Sequence, residues 1–408
     1  MNNFPFYEGS VDAAKRVRPG RNAPVNTGLW FTRFYSGFNE NWEVGEDDKR
    51  GWIRETVGLG PSGNGDQITH LLERQRKLCE ALGGKVAELQ TQGNFVTGTG
   101  LSHPVENGFT FHPTLGMPYL PASGVKGLLR GWVEEWMPHA TDAEKKACIA
   151  RWFGAAKGSD KDAENESEEG AGCFIFFDAL PSKPVNLGCD VMTPHMGKWY
   201  EKGGDYTARD EATTAPADWH SPVPVPFMVV KAATDFNFMI APRTIGNAQV
   251  DAQTLADLPT VMQALKDALE WLGAGAKTAT GYGRMVQTTE AMARESERQV
   301  RSQREKAMSG KSEQGKLIEA LRQKCAELDA RITGGKFQKH AYSAGNPGPL
   351  HHEATRLVNE ATVAPEWSSA DKKALADMLE HWLPKVISPW DAKEQRKKLK
   401  LAALKGVA

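Results

Sequence analysis

The stretch that decides the fold reads Gly273-Ala274-Gly275-Ala276-Lys277-Thr278-Ala279-Thr280-Gly281-Tyr282-Gly283-Arg284. It follows a helical pattern over residues 258–272 and precedes a short apolar run. Its glycines allow the backbone to lie close against another group. Lys277 and Arg284 supply two cations and Tyr282 a stacking surface, which together suit a nucleic-acid backbone with an unstacked base beside it. An ordinary helix-to-strand turn with incidental charges is the alternative.

The same stretch does not suit a nucleoside triphosphate. A phosphate-cradling P-loop needs glycine directly before its lysine and a strand before the loop. Here Ala276 precedes Lys277, and the residues before the loop have helical spacing. We therefore reject an ATPase.

A second region of interest lies near residue 100. Residues 94–100 alternate apolar and polar side chains like a strand, and residues 109–116 could return antiparallel to them. Pro121 then ends the extended structure, and Ser123 is predicted to cap a helix. The sequence therefore predicts a strand pair followed by a helix.

The start of that helix is predicted to bind phosphate. Gly124 and Gly127 lie in its first turns, where glycine lowers helix stability, and a close backbone approach would explain them. A helix N-terminus that carries Ser123 and Lys126 is suited to an anion.

Four motifs occur in order at residues 97–130, 193–195, 222–227 and 273–283. The first includes Met117-Pro118-Tyr119-Leu120-Pro121-Ala122-Ser123-Gly124-Val125-Lys126-Gly127-Leu128-Leu129-Arg130, and the second is Thr193-Pro194-His195. Together they resemble the RAMP superfamily of CRISPR proteins over roughly residues 25–290. Within it the chain is most similar to the sixth, end-capping subunits of Cmr-type complexes, the type III-B RNA-guided effectors. Ala122-Ser123-Gly124 departs from the Gly-Ser-Ser that is more usual there.

The resemblance implies an α+β, ferredoxin-like domain, similar to an RNA-recognition motif, with large insertions. It implies a non-catalytic subunit that caps the backbone filament at the 3′ end of the guide RNA and contributes to target RNA binding in antiviral defence. The implied partners are guide (CRISPR) RNA, target RNA and other Cmr-type RAMP backbone and small subunits, with ribonuclease activity in those subunits.

The expected RNA-binding residues come from the helix and from the glycine-rich stretch. Those on the helix, expected to contact phosphates, are Ser123, Gly124, Lys126 and Arg130. Those in the opposing loop are Gly275, Lys277, Thr278, Gly281, Tyr282 and Arg284.

Catalysis is the competing hypothesis. His103, His112 and His195 could act as acid or base in a metal-independent RNA cleavage that processes CRISPR RNA. Histidine in such turns is more often structural. A third alternative is a scaffold protein without RNA contact.

The spacing of the aspartates and of the remaining histidines does not indicate a metal site. The aspartates do not form the carboxylate pattern of a two-metal nuclease. His340, His351 and His352 lack partners at ligand spacing and are predicted to be surface helix residues. We expect neither a metal nor a cofactor.

Charge is unevenly distributed along the chain. Residues 1–290 carry 28 Lys and Arg against 36 Asp and Glu, a net −8, whereas residues 291–408 carry 22 against 15, a net +7. The body therefore does not bind nucleic acid through general positive charge. The cations near the C-terminus either attract RNA or form a solvated helix face; they are Lys393, Arg396, Lys397, Lys398, Lys400 and Lys405.

The remaining composition excludes several classes of protein. The five cysteines form no close pair, which indicates neither a disulfide framework nor a structural zinc site. No apolar run approaches the ~18 residues that span a bilayer, and the first residues do not resemble a signal peptide. We expect a cytoplasmic protein with no membrane partner.

The predicted organisation has four parts. Residues 1–24 form an arm, residues 25–290 the RNA-binding domain with insertions near 36–92 and 154–222, residues 291–310 a linker or solvated helix, and residues 311–408 a basic helical extension. The predicted strands are 29–35, 173–177, a hairpin of 226–231 with 236–241, and one that begins at 284. The predicted helices are 68–89, interrupted at Gly83-Gly84, and 142–153, 258–272, 316–332, 351–362 and 369–386.

Overall fold

The computed structural model describes residues 25–39, 41–138, 140–154, 171–202, 216, 220–335, 338–341 and 348–406. The predicted arm at 1–24 and much of the insertion at 154–222 lie outside these residues. The chain divides into two compact units, Met1–Glu295 and Ser296–Ala408. Among the described residues, no helix has the length and the apolar character needed to cross a membrane.

The first unit mixes helices and strands. Its helices are α1 (Thr27–Arg33), α2 (Glu46–Gly58), α3 (Gly65–Ala81), α4 (Ala122–Glu135), α5 (Asp142–Phe153), α6 (Gly197–Lys202) and α7 (Ala248–Trp271), and α8 (Thr289–Ser309) begins within it. Its strands are β1 (Lys85–Thr91), β2 (Phe174–Phe176), β3 (Leu180–Pro181), β4 (Leu187–Met192), β5 (Val225–Val230), β6 (Asp235–Pro242) and β7 (Met285–Val286). The fold class is therefore α+β, as predicted.

The central sheet has the strand order β2-β6-β1-β7, with β3 also pairing with β6. All of these pairs are antiparallel. Strand β6 is buried along almost its whole length, because α3 and α7 both contact it. Phe236, Phe238 and Ile240 alternate with the equally buried Asn237 and Met239. Burial of residues on both faces explains why β6 does not alternate apolar residues with exposed polar ones.

Strands β4 and β5 form a separate antiparallel pair, in which Asp190 lies opposite Phe227. The predicted hairpin of β5 with β6 is therefore wrong. Between the two strands the chain changes sheets: the Thr91 amide donates to the Thr234 carbonyl at 3.0 Å, and the Thr234 amide donates to the Thr91 hydroxyl at 3.0 Å. These bonds direct β6 toward β1.

The aromatic run at 29–35 forms most of helix α1 and is not a strand. Asn26 caps the helix, since its side-chain oxygen accepts from the Leu29 amide at 2.8 Å. Trp30 and Phe31 are buried, and Trp30 stacks on Phe34 one turn later, with ring centroids 5.2 Å apart. Local capping and packing therefore override the strand propensity of these aromatic residues.

The predicted helix over 68–89 does break at Gly83-Gly84, but the part after the break is strand β1 rather than helix. The turn between α3 and β1 requires glycine, because a Cβ on Gly84 would lie 2.6 Å from the Ile240 carbonyl oxygen and 2.5 Å from the Cys79 sulfur. The backbone at Gly84 packs directly against β6. A helix cannot continue through such a contact.

Residues 94–100 and 109–116 do not form the predicted strand pair. Phe95 bridges to Val230 and Phe111 to Pro118, each as an isolated pairing, and one bond joins the two segments, from the Thr110 amide to the Thr97 carbonyl at 3.2 Å. They are ordered loops that pack on the β4–β5 pair and on α1.

The second unit is largely helical. Its elements after α8 are α9 (Glu313–Thr333), β8 (His340–Ala341), α10 (Pro349–Val363), α11 (Ser369–Val386), β9 (Ile387–Ser388), α12 (Ala392–Lys398) and α13 (Leu401–Leu404). Its core includes Leu321, Leu357, Leu379 and Leu383. Helix α11 has the predicted bounds.

Of the three histidines that the sequence assigns to helix surfaces, His340, His351 and His352, two are not surface helix residues. His351 is buried in α10, with Nε2 2.9 Å from the Gln395 side-chain oxygen. His340 lies in the short strand β8, which pairs with β9. His352 is exposed on α10, as predicted. The burial of His351 arises from packing against α12, a contact 44 residues along the chain.

Candidate nucleic-acid interface

Helix α4 and the glycine-rich stretch line one open cleft of about 620 Å³. We call residues 273–284 the glycine loop and this space the glycine cleft. Its walls are Leu120, Gly124, Gly127, Leu128 and Gly131 on one side and Trp271, Leu272, Gly273, Ala274, Gly275, Thr278, Ala279 and Arg284 on the other. The two regions that the sequence singles out separately therefore face the same space.

The α4 glycines have no packing reason inside this unit to be small. A Cβ on Gly127 or on Gly131 would have no neighbouring atom within 4 Å, and one on Gly124 would approach only the Leu120 side chain, at 3.0 Å. Glycine in a helix interior lowers stability by about 1 kcal/mol relative to alanine. Helix α4 therefore has a surface without large side chains along the cleft, formed by Gly124, Gly127 and Gly131, and these glycines lower the stability of the helix. We call this surface the glycine flank.

The glycines of the loop have a different cause. A Cβ on Gly275 would lie 2.0 Å from the Val96 carbonyl oxygen, and one on Gly283 would lie 1.9 Å from the Ala274 carbonyl oxygen. The loop is fixed by backbone bonds: Ala276 donates to Val96 at 2.8 Å, and Gly283 donates to the Asn94 carbonyl at 2.9 Å. The close approach that the sequence predicts is therefore to the same chain, to Val96 at Gly275 and to Ala274 at Gly283.

Tyr282 is anchored inside the protein. Its hydroxyl donates to Asp190 Oδ2 at 2.7 Å, and its ring meets Phe227 edge-on with centroids 5.9 Å apart. Burial and the neighbouring Asp190 carboxylate raise the pKa of Tyr282 to about 12, so the hydroxyl stays protonated. The ring expected to stack on a base instead ties the glycine loop to β4.

Asp190 is held by several donors at once. Besides Tyr282, the Val191 amide donates to it at 2.9 Å and the Asn94 side chain at 3.4 Å. Burial alone would raise the pKa of Asp190, but these hydrogen bonds and the nearby Lys277 ammonium bring it below its ordinary value. The carboxylate is therefore charged and engaged at neutral pH.

Lys277 extends toward the β4–β5 pair. Its Nζ lies 3.1 Å from the Met192 sulfur and 5.1 Å from the centroid of the Phe227 ring. Its backbone is left-handed, with φ of 59°, which is uncommon for a residue with a Cβ. Lys277 therefore contacts β4 and β5, whereas its neighbours Thr278 and Arg284 line the glycine cleft.

The start of α4 already carries a negative charge. Pro121, not Ser123, is the N-cap, and it has no side-chain hydrogen bond to offer; instead the Ala122 amide donates to Asp178 Oδ1 at 2.7 Å. Ser123 is exposed in the first turn. The Asp178 carboxylate thus stands where the sequence predicts a phosphate.

The two predicted cations of α4 have protein acceptors. Lys126 Nζ donates to the Phe153 carbonyl, the last residue of α5, at 2.9 Å. Arg130 Nε donates to Glu134 one turn later at 2.7 Å. Lys126 therefore joins α4 to α5, and Arg130 forms an ion pair on its own helix.

The three candidate catalytic histidines lie in separate local networks. His103 stacks on Phe31 with centroids 4.1 Å apart, its Nε2 lies 2.9 Å from the Phe31 carbonyl oxygen, and the Val105 amide donates to its Nδ1. Burial lowers the pKa of His103, against the effect of that carbonyl. Both ring nitrogens of His103 thus have partners in the loop.

The other two histidines also bond locally. The Leu115 amide donates to His112 Nδ1 at 3.3 Å, and burial lowers the pKa of His112 although the Asp178 charge opposes this. His195 is exposed, with Nδ1 3.3 Å from the His220 carbonyl oxygen. Within the described ranges, no three His, Cys, Asp or Glu side chains are grouped so that they could hold a metal ion.

Sequence reasoning missed Trp271, the last residue of α7. Its side chain is 64% exposed and lines the glycine cleft beside Arg284, which is also exposed. The signal was present, because Trp271 falls outside the apolar spacing of α7 and directly precedes the glycine loop. It supplies the accessible aromatic surface that Tyr282 does not.

The chain is similar to several known proteins. Residues 88–286 match the family model described as the RAMP superfamily. The chain is 26% identical over 256 residues to the CRISPR system Cmr subunit Cmr6 of Pyrococcus furiosus, covering 52% of this chain and 70% of that protein. It is 25% identical over 155 residues to the CRISPR system CMR subunit Cmr6 of Saccharolobus solfataricus, covering 36% and 47%.

Solved structures of similar proteins include a type III-B Cmr-beta complex bound to cognate target RNA, with 21% identity, a TM-score of 0.42 and coverage of 62% of this chain and 76% of that one. They also include Cmr6 of Pyrococcus furiosus, with 22% identity, a TM-score of 0.28 and coverage of 50% and 98%. The glycine cleft, with α4 and the glycine loop, lies inside the matched range. Residues 88–286 of the chain therefore match a RAMP superfamily domain.

Proposed function

We propose that this protein is the Cmr6-type subunit of a type III-B CRISPR complex and that it binds RNA in the glycine cleft. The main support for this proposal is the glycine flank of α4. Gly127 and Gly131 face open space there, opposite Trp271 and Arg284. The superfamily match over the same residues and the similarity to two Cmr6 proteins support it.

The glycine cleft combines three features that suit binding of single-stranded RNA: glycines, an exposed aromatic side chain and a cation. Glycines without Cβ atoms let a sugar-phosphate backbone lie against the helix, as in other close backbone approaches. Trp271 presents an exposed aromatic face for a base, and base-aromatic stacking contributes about 1–3 kcal/mol per base. Arg284 adds one cation for a phosphate. Such contacts do not read base edges, so binding is expected to tolerate sequence.

The element order supports a ferredoxin-like arrangement within the RAMP domain. Strand β1, helix α4, strands β2 and β6, helix α7 and strand β7 follow the β-α-β-β-α-β order, and the sheet they form is antiparallel. We infer that the other elements of this unit are insertions between these six.

We infer that the subunit caps the backbone filament at the 3′ end of the guide RNA, acts in the cytoplasm and leaves RNA cleavage to partner subunits. The local hydrogen bonds of His103 support a non-catalytic role for it, because both of its ring nitrogens have partners within the protein, and Nδ1 of His112 is likewise bonded to its own loop. General acid-base work would require such a nitrogen to reach the reacting group.

The test measures RNA binding and cleavage with the full chain. Labelled single-stranded RNA and guide precursor are titrated with protein at several salt concentrations, with and without a chelator. We expect salt-dependent binding without cleavage. Trp271→Ala with Arg284→Gln should weaken binding at least tenfold, through the lost stacking and the lost phosphate contact.

The matched control combines Trp136→Ala with Arg243→Gln, which removes an exposed tryptophan and an exposed arginine that do not line the glycine cleft. It should bind RNA like the unmodified chain. Equal losses in both double variants would contradict the cleft as the RNA site. Cleavage of the precursor would contradict the non-catalytic role and favour a processing ribonuclease.

A further inference from the structure

The second unit carries cations of two kinds near its C-terminal end. Three of them are paired with carboxylates: Arg396 Nε lies 3.0 Å from Glu380, Lys398 Nζ lies 2.6 Å from Glu394, and Lys405 Nζ lies 2.6 Å from Asp377 and 2.9 Å from Glu380. Their charges are largely neutralised locally. The sequence alone gives no basis for separating them from the remaining lysines.

The other three are Lys393, Lys397 and Lys400, which we call the lysine stripe. All three are exposed, and within the described part of the chain none has a carboxylate partner. Lys393 and Lys397 are four residues apart on α12, so they lie on one face about 6 Å apart along the axis. Lys400 follows two residues after the helix ends.

The opposite face of α12 fixes the stripe in place. Gln395 is buried and its side-chain oxygen lies 2.9 Å from His351 Nε2 of α10, and Leu399 is buried beside it. Asp391 caps the helix by accepting from the Lys393 and Glu394 amides at 2.9 Å each. The packing of α12 therefore leaves Lys393 and Lys397 exposed on its outer face, and Lys400 is exposed just after the helix ends.

We propose that the lysine stripe is a second RNA-binding site, which holds the phosphate backbone of single-stranded RNA. Like charges four residues apart on a helix repel each other, and a polyanion relieves that repulsion. RNA as the polyanion rests on the proposed function. A membrane surface fits less well, because an interfacial helix needs an exposed apolar face, whereas Leu399, Leu401 and Leu404 are buried.

The stripe also lies outside the family match, which ends at residue 286. The first 290 residues carry a net charge of −8, so long-range attraction of RNA cannot come from their overall charge. A site in the basic unit supplies that attraction, independently of the glycine cleft.

The test compares two triple variants of the full chain that change net charge equally. One replaces the stripe, Lys393→Gln with Lys397→Gln and Lys400→Gln; the other replaces the paired cations, Arg396→Gln with Lys398→Gln and Lys405→Gln. The stripe variant should bind single-stranded RNA roughly tenfold more weakly near 0.15 M salt and lose about 2 from the salt slope, since each contact contributes about 0.7. The paired-cation variant should change both values by less than a third as much.

Equal losses in the two triple variants would mean that net charge alone matters, and would overturn the stripe. So would unchanged RNA binding in the stripe variant when circular dichroism shows both variants folded. Vesicles of phosphatidylserine and phosphatidylcholine give a further arm: a stripe variant that loses vesicle binding but keeps RNA binding identifies a membrane site instead.

The Trp271→Ala and Arg284→Gln variant separates this proposal from the proposed function. If that variant loses RNA binding and the stripe variant does not, the cleft stands and the stripe fails. If only the stripe variant loses binding, the stripe stands and the cleft fails. An unmodified chain that binds no single-stranded RNA overturns both.

Discussion

The glycines of α4 and those of the glycine loop look alike in the sequence but differ in the structure. In the loop, Gly275 and Gly283 touch backbone atoms of their own chain so closely that no Cβ fits. In α4, Gly127 and Gly131 face open space. The first pair is explained by the fold of this unit, whereas the second is not. A glycine points to a ligand only when internal packing does not already require it.

The largest expected effect comes from a substitution at a closely packed glycine of the glycine loop. Gly283→Ala places a Cβ 1.9 Å from the Ala274 carbonyl oxygen on a backbone with φ of 74°, so the loop has to shift. We expect a loss of about 3 kcal/mol in the free energy of unfolding, together with loss of RNA binding. Urea denaturation of the full chain measures the first.

Gly281→Ala is the matched control, because its φ of 92° is equally unfavourable for alanine but no atom lies within 4 Å of the added Cβ. It should cost about 1 kcal/mol, which isolates the conformational part. Equal costs at the two positions would show that the close contact at Gly283 is unimportant.

The second prediction concerns a substitution that adds a side chain to the glycine flank of α4. Gly131→Leu should leave stability unchanged or raise it by up to about 1 kcal/mol, since leucine favours the helix and meets no neighbour near its Cβ. It should nevertheless weaken RNA binding about tenfold, or 1.4 kcal/mol, because the side chain enters the cleft. Fluorescence anisotropy and thermal unfolding measure the two effects.

Gly51→Leu in α2 is the control here, since a Cβ on Gly51 likewise meets nothing within 4 Å and this residue does not line the glycine cleft. It should show the same effect on stability with RNA binding intact. A Gly131→Leu variant that binds RNA normally would remove the reason for calling the α4 flank a binding surface.

The smallest expected effect tests the hydrogen bond that attaches the glycine loop to β4. Tyr282→Phe removes the hydroxyl that donates to Asp190 and should cost about 1 kcal/mol near neutral pH. The folded protein lowers the pKa of Asp190, so this carboxylate stabilises the fold above its ordinary titration range and ceases to do so as pH falls through the lowered value. The difference between Tyr282→Phe and the unmodified chain should therefore narrow below about pH 4.

Urea denaturation at a series of pH values gives this difference, with Tyr200→Phe as the control for an exposed tyrosine. A difference that stays constant down to low pH would mean that the Asp190 charge does not contribute to the interaction.

The sequence predicts the two walls of the cleft but not which side chains face it. Gly124, Gly275, Thr278 and Arg284 line the cleft as a group that short-range patterns can identify, since each lies in a glycine-containing segment. Tyr282 does not act as expected, because its partner is Asp190, 92 residues away. A partner so distant is invisible to periodicity and spacing.

The predicted cations show the same limit. Lys126 bonds to a carbonyl at the end of α5, and Asp178 arrives at the start of α4 from beyond β2. Both contacts are created by tertiary packing. The helix α4 itself, by contrast, is predicted well, because its apolar spacing and the preceding proline are local signals.

Errors in secondary structure have similar causes. The aromatic residues of α1 favour a strand by composition, and a run of seven residues is too short for periodicity to decide. The hairpin of β5 with β6 failed because adjacent strands usually pair, whereas here the bonds at Thr91 and Thr234 lead them into different sheets.

Asp178 has a consequence for the direction from which RNA can approach α4. Its carboxylate is tethered to the protein and bound to the first amide of the helix, so it acts as an intramolecular ligand with a high effective concentration. A phosphate arriving from solution has to displace it and is also repelled by it. The first turn of α4 is thereby closed to a phosphate, so RNA bound as proposed would contact the side of the helix that carries Gly127 and Gly131 rather than its N-terminal end.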